Sequence, residues 1–289
     1  MNTPGTLTYV YAVTRPTDRL REALAGLHGI GQEPARLLAP AATSASSAAT
    51  SGSGPTPLAF VAGDVPARDF NETSLKEHFE DLHWLEYVAR THHDVVQSVA
   101  AHAPVLPLRM ATVYQDDQRA RQALADQHDG FAERLDQLHA HTEYGVKIYL
   151  DPTAGPPPPA DAPTTQHAST TPGKAYLRAR RAQHHAREAV HRQAQQAAEA
   201  IEAIAARHTT RRVRHAPQRG ALTGPQENIL NDAYLVPDDQ ADRFQSAIAE
   251  AARDFPDLRI EVTGPWAPYS FAMPPTDPAG PDDAPEPPP

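Results

Sequence analysis

Apolar residues recur along this chain with two different periods, and the switches between them predict its elements. Residues 7–13, LTYVYAV, are rich in β-branched and aromatic side chains and predict a strand, followed by a short helix over 18–27. ARLLA and LAFVA flank a stretch of small residues and predict a hairpin with a swollen connection. Ser74 and Glu77 have capping-box spacing. Behind them Phe79, Leu82, Leu85, Val88, Val95, Val96 and Val99 recur as on one helix face, which predicts a single long helix to about residue 102. PVLPLRMATVY (104–114) reads as extended, with Pro107 placing any strand there at an edge or a start. A second amphipathic helix is expected over about 116–140, through Leu124, Phe131, Leu135 and Leu138.

The second half alternates more regularly. Tyr144, Val146, Ile148 and Leu150 share one face of a strand. A long helix at about 175–207 carries Ala186, Val190, Ala197, Ile201 and Ile204 on one side. Strands at 211–215 and 229–236, a helix at 238–255 and a strand at 258–263 complete the series. The order β-α-β-β-α-β is the ferredoxin-like split pattern, which predicts a four-stranded antiparallel sheet with both helices on one face. The expected fold class is therefore α+β in two domains: an N-terminal mixed α/β domain over 1–141 and a C-terminal ferredoxin-like domain over 142–273. Segments at about 40–57 and 151–172, and the proline-rich acidic tail 274–289, hold too few large apolar residues to offset their ordering entropy and are expected to be disordered.

Composition narrows the function classes. The 289 residues carry a net charge of −10, which disfavours DNA and anionic membranes as main partners. With no cysteine, the chain has neither a disulfide scaffold nor a Cys nucleophile or Cys-based zinc site. No basic-then-apolar leader opens it, and no apolar run approaches the roughly 18 residues of a membrane helix, so a cytoplasmic protein is expected.

Candidate chemistry is sparse. No phosphate-binding P-loop and no Gly-x-Ser-x-Gly elbow occurs. Gly29-x-Gly31 has Pro34 where a third glycine would be needed for a dinucleotide loop. The pairs Glu80/His83 and Glu188/His191 have di-metal spacing, but each Glu lies opposite its helix's apolar stripe. The doublets His92-His93 and His184-His185 read as surface residues. No metal and no cofactor is expected. Between residues 174 and 214 arginines cluster, with Arg178, Arg180, Arg181, Arg187 and Arg192 on the helix and Arg211, Arg212 and Arg214 after it. An RNA-binding or regulatory ferredoxin-like module is the alternative function this allows. The strands RRVRHA and NILNDAYLV lack the aromatic RNA-binding motif, and a solvated face balancing nearby acids is the simpler reading. Arg109, among apolar neighbours, is expected to pair with a carboxylate or carbonyl or to point off the sheet.

The stretch VTGPWAPYSF (262–271) is the densest aromatic segment. Gly264 permits a backbone angle other residues avoid, and Pro265 and Pro268 stiffen the chain beyond it. Trp266, Tyr269 and Phe271 then either lock onto their own protein or anchor a partner.

Six motifs along the chain, YVYAV (9–13), VLPLRMATVY (105–114), EYGVK (143–147), AYLRAR (175–180), NDAYLV (231–236) and TGPWAPYSF (263–271), resemble those of gas vesicle accessory proteins of the GvpL/GvpF family. The chain departs from that pattern at Met110-Ala111, where the family has Phe-Gly, and at Ala267, where it has Pro. The resemblance implies a two-domain α+β protein with a ferredoxin-like second half. It also implies a non-enzymatic assembly role through contacts with the small shell protein and other accessory proteins, in association with gas vesicles. Arg109, Pro265, Trp266, Tyr269 and Phe271 are the partner-binding candidates read from the residues themselves.

Overall fold

A computed structural model describes residues 5–40, 57–150, 172–217 and 227–273. The segments expected to be disordered lie almost wholly outside the described residues. Contacts divide the chain into two units, Met1–His141 together with Trp266–Pro289, and Thr142–Pro265. The second unit thus ends before Trp266 rather than at residue 273, because the aromatic segment packs on the first unit's helices and strands.

In the first unit the apolar run of residues 7–13 forms the central strand β1 (Thr6–Thr14), with Tyr9 to Val13 fully buried. Two further strands complete one side of the sheet, β2 (Arg36–Leu38) and β3 (Ala59–Pro66). On the other side β4 (Val105–Pro107) and β5 (Val113–Tyr114) share the remaining edge of β1. The sheet order is β2-β3-β1-β4, all pairs antiparallel. Pro107 ends β4 on that edge, where its missing N–H breaks no ladder. A bulge at Tyr11 makes Val10 face Ala62 and Ala12 face Val61. Alternation resumes one residue late, so Tyr9, Tyr11 and Ala12 all enter one core cluster.

Helix α1 (Asp18–Leu24) starts at Thr17, whose Oγ1 accepts from Leu20 N at 3.1 Å. The expected single helix behind Ser74 is instead three: α2 (Ala67–Phe70), α3 (Glu72–His78) and α4 (Leu82–Ala100). Ser74 is no cap. Asn71 caps α3 by accepting from Ser74 N, and Asp81 restarts the chain as α4 by accepting from His83 N and Trp84 N. The break leaves Phe79 and Leu82 exposed, while Val88, Val95, Val96 and Val99 remain buried. The expected helix over 116–140 likewise divides at Gln127 into α5 (Asp117–Asp126) and α6 (His128–Leu138). α4 packs on the sheet face that holds Tyr9 and Val61. On the other face Phe60 meets Phe131 of α6 edge-on at 5.9 Å.

The second unit runs β6 (His141–Leu150), α7 (Pro172–Ala205), β7 (Arg211–Arg214), β8 (Glu227–Pro237), α8 (Ala241–Ala252) and β9 (Leu258–Trp266). Its sheet order is β7-β8-β6-β9. Tyr144, Val146, Ile148 and Leu150 pack with Ala194, Ala197 and Ile201 of α7 and Phe244 and Ile248 of α8, so one face serves both helices. Asp232 of β8 is buried as well. Arg214 grips it through Nε at 3.0 Å and a second nitrogen at 3.1 Å, while Arg212 takes Glu202 of α7 at 2.5 Å. Arg212 pulls the Glu202 carboxyl below its ordinary range. These two arginines are therefore structural partners of buried or bridging acids and not part of an open basic surface.

Candidate functional site

The aromatic segment closes the first unit as a strap. Gly264 takes φ +123°, a region that disfavours any side chain, and turns the chain into the strap. Ala267, at 2% exposure, donates its N–H to Gln97 Oε1 at 2.5 Å. The one-turn helix α9 (Tyr269–Ala272) comes next, with Phe271 buried at 3%. Tyr269 stacks on His93 at 5.9 Å, and Trp266 meets the same imidazole edge-on at 5.3 Å. Phe271 is thus a core residue of its own chain. Trp266, at 38%, and Pro265 are exposed.

Beneath the strap lies a hydrogen-bonded aromatic cluster. Tyr9 Oη sits 2.9 Å from His92 Nδ1 and accepts from Ala111 N at 3.0 Å. Tyr11 is tilted against Tyr9 with ring centroids 4.7 Å apart. His92, expected at the surface, is buried, and its Nε2 has no hydrogen-bond partner among the described residues. Desolvation pushes its pKa down to about 4, opposed by the backbone of Leu108, so the imidazole is neutral near pH 7. Burial raises the Tyr11 phenol to about 12 and lifts that of Tyr9 as well.

Arg109 opens the turn that supplies Ala111 N–H. Its carbonyl accepts from both Thr112 N at 3.2 Å and Thr112 Oγ1 at 2.7 Å. Arg109 is exposed, and among the described residues no carboxylate pairs with it. Ala111 holds φ +63°, where a Cβ is strained. Ala111→Gly is expected to raise stability by about 1 kcal/mol in chemical denaturation, the relief of strain exceeding the entropy lost.

The glycine-rich loop after α1 is a second anchoring point. Ile30 N donates to Tyr11 Oη and Gly31 N to Tyr87 Oη, each at 2.9 Å. The amides that a phosphate would require are engaged by tyrosines. A Cβ on Gly29 would lie 2.1 Å from Tyr11 Oη and 2.8 Å from its Cζ. That ring is fully buried and cannot swing aside, so Gly29→Ala is expected to cost about 2 kcal/mol, read as a lowered denaturation midpoint.

The other sequence candidates are not assembled into a site. Glu80 and Glu188 are exposed, as their position opposite the apolar stripes predicts. Among the described residues no group of three or more His, Asp or Glu side chains could hold a metal ion. The strap's contacts with Gln97, His92 and His93 went unread in the sequence. The one available signal was the pair of tyrosines in YVYAV, polar-tipped rings in a strand too apolar to be solvated on either face. What the arrangement offers is a rigidly held aromatic edge. On the same outward face of α4 that seats His93 and Gln97, Leu82 is 77% exposed, with Phe79 (47%) just before the helix.

The model of the family described as "Gas vesicle synthesis protein GvpL/GvpF" matches residues 7–273. The chain is 38% identical over 267 residues to gas vesicle protein L of Streptomyces sp. (strain CB03234), covering 92% of each. It is 27% identical over 271 residues to gas vesicle protein F of the same strain, covering 91% of this chain and 98% of the other. The crystal structure of GvpF from Anabaena sp. PCC7120 has the same fold, with a TM-score of 0.58 at 16% identity over 93% of this chain and 96% of that one. That fold is mixed α+β with two antiparallel sheets.

Proposed function

Since this chain belongs to the GvpL/GvpF family of gas vesicle synthesis proteins, with an accessory role in gas vesicles, we propose that it works as a cytoplasmic, non-enzymatic assembly factor that binds the small shell protein and other accessory proteins. We read its second unit as ferredoxin-like, on the order β7-β8-β6-β9 with both helices against one core. The observation that carries the binding role is an exposed indole, Trp266, on a strap whose other aromatics are pinned to the fold. Exposed aromatics on rigid supports lose little entropy on binding and are enriched among interface anchors. Arg109 and Pro265 belong to the same reading as exposed candidates, with Tyr269 and Phe271 holding the strap in place. A chain that is 21% charged is unsuited to form a gas-facing wall itself, and suits a carrier that shields apolar shell subunits until they join one.

Co-purification of the shell protein with the tagged full-length chain tests this. Capture is expected, with Trp266→Ala weakening it about tenfold while leaving the fold intact. Absence of capture, together with normal vesicles in a deletion strain, would refute the assembly role.

A further inference from the structure

Helix α7 buries Ala194, Ala197, Ile201 and Ala205 in the second unit's core. Its N-terminal half has another character. From residue 172 to 198 the sequence has six Lys or Arg and a single Glu, in a chain of net charge −10. Helical geometry sets Leu177, Arg181, His184, Glu188 and Arg192 on the side turned away from the core, with Arg178 and Arg180 on its flanks. Leu177 and these four arginines are exposed.

Unlike Arg212 and Arg214, none of the four has a carboxylate within ion-pair distance among the described residues. The one acid of the stretch, Glu188, is held by His184 at 3.4 Å and His185 at 3.3 Å. Like charges three residues apart on a helix, such as Arg178 and Arg181, destabilise it, so the fold gains nothing from this array. Beside it His184, Glu188, His191 and Arg192 line an open hollow of about 430 Å³.

We infer that this face is a docking surface for an acidic polypeptide segment that lies along α7, with carboxylates on Arg178, Arg181 and Arg192 and an apolar residue against Leu177. Arg178 and Arg192 stand about 21 Å apart along the axis, the length of roughly four helical turns. A protein fits better than RNA because the acidic remainder of the chain repels a polyanion whose phosphates extend beyond the patch. Shell binding through the strap is independent of this face, and either can hold without the other.

The test is fluorescence anisotropy of the full-length chain with labelled poly-L-glutamate, and in parallel with labelled polyuridylate. Salt-sensitive binding of the glutamate polymer is expected. It should be about tenfold weaker in the triple variant Arg178→Gln, Arg181→Gln, Arg192→Gln and unchanged in the control Arg119→Gln, Arg253→Gln. Should the triple variant lose its circular dichroism signal, the single variant Arg192→Gln and the salt dependence of the unaltered chain decide. No binding of poly-L-glutamate at low salt overturns the inference. So does polyuridylate binding as tightly with the same arginine dependence, which would make the face one for RNA.

Discussion

Phe271→Ala is expected to destabilise the protein by about 3–5 kcal/mol, the usual cost of emptying a buried aromatic site. The neighbouring Trp266→Ala should cost only about 1 kcal/mol, since 38% of that residue already faces solvent and its ring contact is an edge-on meeting with His93. Thermal or urea melts of the two variants give the order directly. The difference matters for function, because the two rings stand five residues apart on one strap. Phe271 holds the strap down through the core, and the proposed role of Trp266 begins where the core ends. A Trp266→Ala variant that melts as early as Phe271→Ala would make the indole a structural residue and leave the strap without an exposed anchor.

Acid is expected to loosen the same region through His92. Its pKa lies at about 4 in the fold against 6.5 when exposed, so the native state resists a proton that the unfolded chain accepts. The full stabilisation is present above pH 6.5 and is lost as pH falls toward 4. The slope is about 1.4 kcal/mol per pH unit and the total about 3 kcal/mol. A charged imidazole there would face Tyr9 Oη, the rings of Tyr11 and Tyr269, and the neighbouring His93, with no carboxylate among these groups to receive it. Asp117, whose carboxyl Thr8 and Arg36 hold below its ordinary range, loses its contribution only at lower pH, so the window from 6.5 to 5 isolates the histidine. Denaturation midpoints across that window should fall by about 2 kcal/mol in the unaltered chain. The slope should flatten in His92→Gln, which keeps a polar group but cannot titrate. Equal slopes in both would show that His92 is not the group responsible.

Much of the architecture was legible beforehand because it depends on local periods. The alternation at Tyr144, Val146, Ile148 and Leu150 and the helical recurrence of Ala197 and Ile201 reach the same core as expected. The antiparallel pairing of β2 with β3 across the long connection also agrees with the pattern. Misreadings arose where one polar residue outweighed an apolar period. Asp81 stops and restarts the chain within what periodicity joins into a single helix, exposing Phe79 and Leu82. Between α5 and α6 the break lies in the backbone of Gln127, at φ −107° and ψ 12°, and its side chain makes no capping bond.

The amino-acid sequence by itself determined where most strands and helices lie, though not where two of the helices break, that the second half runs β-α-β-β-α-β, and that the aromatic stretch at 262–271 is stiffened by glycine and prolines, since these arise from interactions among residues close in the chain. Only the tertiary structure decided that His92 is buried while His93 is not, that Arg212 and Arg214 are neutralised while Arg178 and Arg181 are not, and that the strap docks at Gln97, 170 residues earlier. Those outcomes depend on which distant groups the fold brings within about 3 Å, and a bulge of one residue at Tyr11 is enough to change which side chains meet.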